Sequence, residues 1–285
     1  MTGEALGRFC PTFLTPFWNF MADHPIDSKS TRHGTGNKAR PKETESWGEL
    51  AKTVIYAGLI AVFIRTFLFQ PFNIPSGSME NTLLIGDYLF VEKFAYGFSR
   101  YTFPFGGWPF GDMMHGRYPA LQPHRGDVIV FKFPGDNSTD FIKRLIGLPG
   151  DRIQMINDVL YLNGKPLPRV RVADYVGELD GEQGSWPQYR ETLPGGKSYV
   201  VIDKYKDGPL DNTQEFVVPP GHYFMMGDNR DNSNDSREEV GYVPAENLEG
   251  KAIFRFFSTD GSAHIWEIWK WPFAIRYSRI LTLIH

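Results

Sequence analysis

The sequence has a single cysteine, Cys10, which excludes an internal disulfide and any cysteine-based metal cluster. It also lacks an excess of positive charge. Thirty Lys and Arg stand against 33 Asp and Glu, for a net charge of −3, and that balance gives no sign of a nucleic-acid partner. Internal repeats and low-complexity tracts are missing. So is a phosphate loop: Gly196-Lys197-Ser198 has Glu191 where such a loop needs its first glycine. Of the seven histidines only His222 adjoins a catalytic-looking stretch, so a Ser-His-Asp arrangement has little to stand on.

Long hydrophobic runs are scarce as well, and one stands out. Residues 50–69 are mostly apolar, with Lys52 near the start and Arg65 near the end. At 1.5 Å per residue that length matches one crossing of a hydrocarbon core about 30 Å thick. Arg65 is close enough to the end to reach the headgroups. A buried amphipathic core helix is the alternative. Lys29, Arg32, Lys38, Arg40 and Lys42 precede the run, so the excess of basic residues places the N-terminus in the cytoplasm and the remainder outside. Residues 1–47 read as an unstructured cytoplasmic region. The apolar stretch 9–21 is broken by Pro11 and Pro16 and is too short to span. Met21 is an alternative start to Met1.

What remains is rich in rings and strand patterns. Aromatic residues make up 15% of the chain, many in Pro- and Gly-rich segments. Residues 101–111 predict a hairpin-like loop carrying Phe103, Phe105, Trp108 and Phe110, which either dips into the membrane interface or folds over the core. Short apolar runs bounded by Gly and Pro predict strands at 86–93, 128–133, 139–146, 221–226 and 250–257. Between them, residues 152–219 shift to short strands and turns. The expected fold is mainly β. An antiparallel β catalytic body at 71–151 and 220–258 carries an inserted smaller β subdomain at 152–219. One N-terminal transmembrane helix at 48–70 precedes it, and an aromatic, membrane-proximal tail at 259–285 follows. In that tail Trp266, Trp269, Trp271 and Phe273 alternate with Lys270, Arg276 and Arg279, which fits either a membrane surface or packing on the β body.

Three stretches carry chemistry. Pro75-Ser76-Gly77-Ser78-Met79 is a tight turn able to present a hydroxyl beside a free backbone N–H. Lys143 sits in the apolar strand F-I-K-R-L-I, and residues 227–237 read G-D-N-R-D-N-S-N-D-S-R. An alcohol is a poor nucleophile until a base takes its proton. A lysine serves only when neutral, and at the reference pKa of about 10.4 under ~1% is neutral at pH 8. Burial among Phe141, Ile142, Leu145 and Ile146 would correct this by lowering the pKa ~2 to 3 units, or ~3 to 4 kcal/mol. An exposed strand lysine like Lys132 is the ordinary alternative.

Together these stretches resemble type I signal peptidases, membrane-bound Ser/Lys proteases that remove secretory signal peptides. The resemblance runs from about residue 53 to about residue 258. It implies Ser78 as nucleophile, Lys143 as general base, and an oxyanion hole formed by the Ser76 hydroxyl with the Ser78 N–H. It implies that Ser233 orients the lysine amine and that Asp235 and Arg237 form an ion pair supporting that loop. Phe72, Ile74, Met79, Leu83, Leu89, Val130, Asp140, Phe141 and Ile142 align with residues lining two shallow pockets for small side chains, the basis of an Ala-X-Ala preference. Asn81 departs from the proline usual after Ser-Met-X, which loosens the turn without removing a catalytic atom. The resemblance implies neither metal nor cofactor. Its partners are secretory preproteins and the lipid bilayer, with no nucleic acid and a monomer assumed, at a bacterial inner membrane with the catalytic body in the periplasm. The rivals are a self-cleaving Ser/Lys repressor-type protease, a catalytically inactive membrane-tethered β scaffold that binds exported proteins, and a mitochondrial inner-membrane relative.

Overall fold

Helix α1 (Trp47–Phe67) is apolar along its length and hides almost nothing, since Thr66 is its one buried residue. Val54, Ile60 and Phe63 are each more than half exposed, which removes the buried core helix as a reading. The helix is long and apolar enough to cross a membrane. It ends two residues before strand β1 (Phe69–Asn73), because Phe69 and Gln70 are drawn into pairing with the strand that follows. The computed structural model describes residues 47–103, 113–179, 181–264 and 266–285. The expectations for residues 1–46 and for Phe105, Trp108 and Phe110 lie outside the described residues. Phe103 rests edge-on against Phe67 at the foot of α1, with centroids 5.7 Å apart.

β2 (Asp87–Glu92) runs antiparallel to β1 and sets Leu89 opposite Phe72. β3 (Val128–Lys132) and β4 (Asp140–Gly147) form the next antiparallel pair, with Ile129 opposite Lys143. The chain then leaves the sheet. β5 (Arg152–Ile156), β6 (Val159–Leu162), β7 (Lys165–Pro166), β8 (Arg169–Arg171), β9 (Tyr175–Leu179), β10 (Glu182–Trp186), β11 (Gln188–Thr192), β12 (Ser198–Ile202) and β13 (Phe216–Val217) build three small sheets of their own. β14 (His222–Met226) returns to β4. β15 (Val243–Pro244), the long β16 (Leu248–Ser258) and β17 (Thr282–Leu283) complete the main sheet, ordered β1-β2-β16-β3-β4-β14-β15 with β17 on β16.

The register of β16 slips twice against β2 and once against β3, and such bulges bend and twist a strand. Gly250 sits at the slip beside β3, and a Cβ there would collide with the Glu92 carbonyl. Strand β4 is shared by three apolar clusters. Ile142 packs with Ile74, Leu89 and Val130, Leu145 with Phe131 and Met225, and Ile146 with Phe224 and Leu160. A lysine placed mid-strand there is therefore dry by construction.

The tail packs on the β body. Ile284 is buried in the cluster with Leu89 and Val91, and Arg279 is ion-paired to Asp87 at 2.6 Å. Trp266, Trp269 and Phe273 nevertheless remain 68%, 65% and 87% exposed, so the segment is anchored to the β body while presenting rings outward.

Candidate active site

The serine turn is pinned from below. Met79 and Leu83 lie one helical turn apart, joined by Leu83 N–H to Met79 O at 2.8 Å, and both are fully buried. Gly77 O accepts the Glu80 N–H at 3.0 Å. This leaves Ser78 above the apolar cluster, 8% exposed. Lys143 reaches it from β4, with Nζ 2.6 Å from Ser78 Oγ and the side chain almost sealed from solvent. The two residues are 65 positions apart in the chain. Burial pushes the Lys143 pKa down to about 8, against the opposing pull of the Asp235 and Asp228 carboxylates. The amine lies 5.4 Å from the centre of the Phe141 ring.

Residues 227–237 close over the other side. Asp235 accepts the Gly227 N–H at 3.0 Å and two hydrogen bonds from the Arg237 guanidinium, at 3.0 and 2.9 Å. Burial raises the Asp235 pKa, but Arg237 and these N–H groups outweigh it and hold the carboxyl below its ordinary value. The ion pair implied by resemblance is thus formed, and it is fully enclosed. Ser233 is buried close to Gly227, yet among the described residues its hydroxyl makes no hydrogen bond, so the contact to the Lys143 amine implied for it is not present in this structure.

A pocket of about 450 Å³ opens onto Ser78 and Lys143. Its lining includes Phe72, Ile74, Ser76, Ser78, Val130, Asp140, Phe141, Ile142 and Lys143, and it adds Asn73, Asn232 and Asn234, which sequence reasoning did not single out. Ser76 is exposed there. Met79, Leu83 and Leu89 are not part of the lining; they are fully buried in the apolar cluster that supports Phe72, Ile74 and Ile142. Asp140 pairs with Lys132 at 2.5 Å.

Other polar groups missed in the sequence hold the site in place. Arg144 points to the opposite face of β4 from Lys143, as alternation along a strand requires, and grips Asp228. Arg230 makes a buried two-pronged pair with Glu191 of β11, tying the loop to the small sheets. The adjacent Lys-Arg in β4 was the available signal for Arg144; nothing local marks Glu191. Asp158, Asp203 and Asp211 bring carboxylate oxygens within 4.8 Å of one another in the small sheets. Arg169 is already bound to Asp203 there.

The family model for signal peptidase, peptidase S26, matches residues 47–257. Signal peptidase I of Rickettsia conorii (strain ATCC VR-613 / Malish 7) is 42% identical over 243 residues, covering 82% of this chain and 85% of the relative. Signal peptidase I of Rickettsia typhi (strain ATCC VR-144 / Wilmington) is 47% identical over 209 residues, covering 70% and 76%. Among solved structures, the crystal structure of a signal peptidase I from Enterococcus faecalis V583 aligns at 30% identity and a TM-score of 0.28, covering 46% of this chain and 96% of that one. On the family match across the helix, the serine turn, the lysine strand and the 227–237 loop, this chain belongs to the signal peptidase family, peptidase S26.

Proposed function

We propose that the protein is a membrane-anchored serine endopeptidase that removes signal peptides from secreted preproteins, using Ser78 as nucleophile and Lys143 as general base. The observation that carries the assignment is the 2.6 Å approach of these two buried groups at the floor of the pocket. With its pKa near 8, a useful fraction of Lys143 is neutral at mildly alkaline pH. The neutral amine takes the Ser78 proton as Oγ attacks the scissile carbonyl. The ammonium then returns that proton to the leaving amine, and water hydrolyses the acyl-enzyme. Charge on the tetrahedral oxygen is met by the Ser78 N–H, which donates no hydrogen bond among the described residues, and by the Ser76 hydroxyl.

The walls formed by Phe72, Ile74 and Ile142 favour small side chains before the cut, because larger ones overlap them. Basic residues upstream of α1 support a cytoplasmic N-terminus and an extracytoplasmic catalytic body at a bacterial inner membrane. The site would then stand just beyond the lipid, where signal-peptide junctions emerge. Ser233, placed against Gly227, supports a role for its hydroxyl in orienting Lys143 through a small side-chain movement.

The test is cleavage of a labelled preprotein by the wild type, Ser78→Ala and Lys143→Ala. Loss of cleavage in both variants, each still unfolding cooperatively, is expected. Wild-type rates in either would overturn the dyad, and no cleavage by any of the three would favour a non-catalytic scaffold.

A further inference from the structure

Asn229 holds both carbonyls that flank the nucleophile. Its side-chain Nδ2 donates to Gly77 O at 3.3 Å, and its backbone N–H donates to Ser78 O at 3.2 Å. Gly77 O and the Ser78 N–H belong to one peptide group, and that group is trans. In a planar trans peptide the C=O and N–H point in opposite directions. Fixing Gly77 O from behind therefore fixes the direction of the Ser78 N–H in front.

We propose that Asn229 is a positioning residue for the oxyanion hole: it clamps the Gly77–Ser78 peptide so that the Ser78 N–H faces the pocket. The inference rests on the reading of Ser78 as nucleophile. Two further facts support it. Asn229 is wholly buried, and its Oδ1 has no hydrogen-bond partner among the described residues. A buried amide left half satisfied is costly to keep, so its retention needs a reason beyond filling space. The residue is itself rigidly placed, since Ile202 N–H binds Asp228 O at 2.9 Å and Arg230 N–H binds Ile202 O at 2.9 Å, one on each side of it. A donor aimed in advance at developing charge lowers the barrier without strengthening substrate binding.

The experiment uses the full-length protein in detergent, with turnover expressed per site titrated by an acylating serine reagent, so that misfolded molecules do not count. Asn229→Ala removes the side-chain donor, and Asn229→Ser keeps a donor on a shorter arm. Removing an oxyanion donor outright costs about 100-fold to 1000-fold in kcat. Loosening one should cost less: about tenfold to 100-fold for the alanine variant, with the serine variant intermediate. KM should stay within about twofold, and the pH at which Lys143 titrates in the rate profile should not move. A peptide boronate, whose tetrahedral oxygen occupies the hole, should lose affinity in parallel with kcat, while an uncleavable peptide should not.

Unchanged kcat, a loss carried by KM, or a shifted pH profile would each overturn the proposal. Ser78→Ala run alongside, its turnover expressed per total folded protein because it has no serine to titrate, separates the two claims. If it still turns over, the nucleophile is misassigned; if it is dead while Asn229→Ala is fully active, only the role of Asn229 falls.

Discussion

Arg144 and Asp228 meet through two parallel hydrogen bonds, Nε to Oδ1 at 2.8 Å and Nη2 to Oδ2 at 2.7 Å, with both side chains shut off from water. Arg144 follows Lys143 in β4, and Asp228 precedes Asn229, so one ion pair fastens the strand of the proposed base to the loop behind the proposed nucleophile. Thr82 of the serine turn also donates to Asp228. Removing one partner of such a pair strands a buried charge, which typically costs about 3 to 5 kcal/mol. Asp228→Ala should therefore lower stability by that order, measured by denaturant unfolding in detergent. A loss below about 1 kcal/mol would mean that the guanidinium finds water or another partner.

On the proposed role of Lys143 as general base, its amine sets a pH dependence of both rate and stability. With its pKa lowered from 10.5 to about 8, kcat/KM should fall about tenfold for each pH unit below 8 as the base is protonated. For stability the sign is the reverse of an ordinary ion-paired lysine. The unfolded chain holds this proton up to pH 10.5 and the folded one only to about 8, so stability gains from this group as pH rises across that window. Below pH 8 the buried ammonium is a penalty of about 3 kcal/mol. Lys143→Met should be inactive, yet more stable than the wild type at pH 7 by up to that amount. Equal or lower stability in the variant, by unfolding at pH 7, would show the amine to be better solvated than its burial indicates.

Asp235 raises the Lys143 pKa by its negative charge. Asp235→Asn removes that charge and leaves the Arg237 cation uncompensated nearby, and both changes disfavour the ammonium. The acid limb of the rate profile should thus move below pH 8. Stability should drop as well, because Arg237 is enclosed and loses its carboxylate partner. A profile that stays in place or moves upward in a folded variant would show that the carboxylate does not act on the base through charge.

The strands were legible because their apolar runs end at Gly and Pro: the segment predicted at 139–146 is β4 at Asp140–Gly147, and the one at 221–226 is β14 at His222–Met226. Signals of this kind are local. Arg144 and Asp228 are 84 residues apart, and Arg230 and Glu191 are 39 apart; no periodicity states which strand face meets which loop. For the same reason Met79, Leu83 and Leu89, which the resemblance aligned with pocket walls, lie in the cluster beneath those walls. Residue type told that they are apolar, but burial order depends on the curl of a sheet whose register slips along β16 and between β14 and β4. Packing of the tail on the β body was one of the two sequence readings, but nothing local marked Ile284 as the residue that enters the core.

Gly227 is the point at which backbone closeness, not flexibility, demands glycine. A Cβ there would fall 2.5 Å from Ser78 O and collide with the Ser233 side chain. Ser78 O is the carbonyl that receives the Asn229 N–H, and the Gly227 N–H is spent on Asp235. An alanine must therefore push either the nucleophile turn or the 227–237 loop aside. Overpacking of this kind typically costs about 1 to 3 kcal/mol, and because the displaced atoms belong to the site, turnover should suffer more than stability does. Gly227→Ala is expected to lose more than about tenfold in kcat per titrated site, on the ground that misplacement of about 1 Å costs about 100-fold. A folded variant turning over at the wild-type rate would mean that the loop has slack to withdraw without disturbing Ser78.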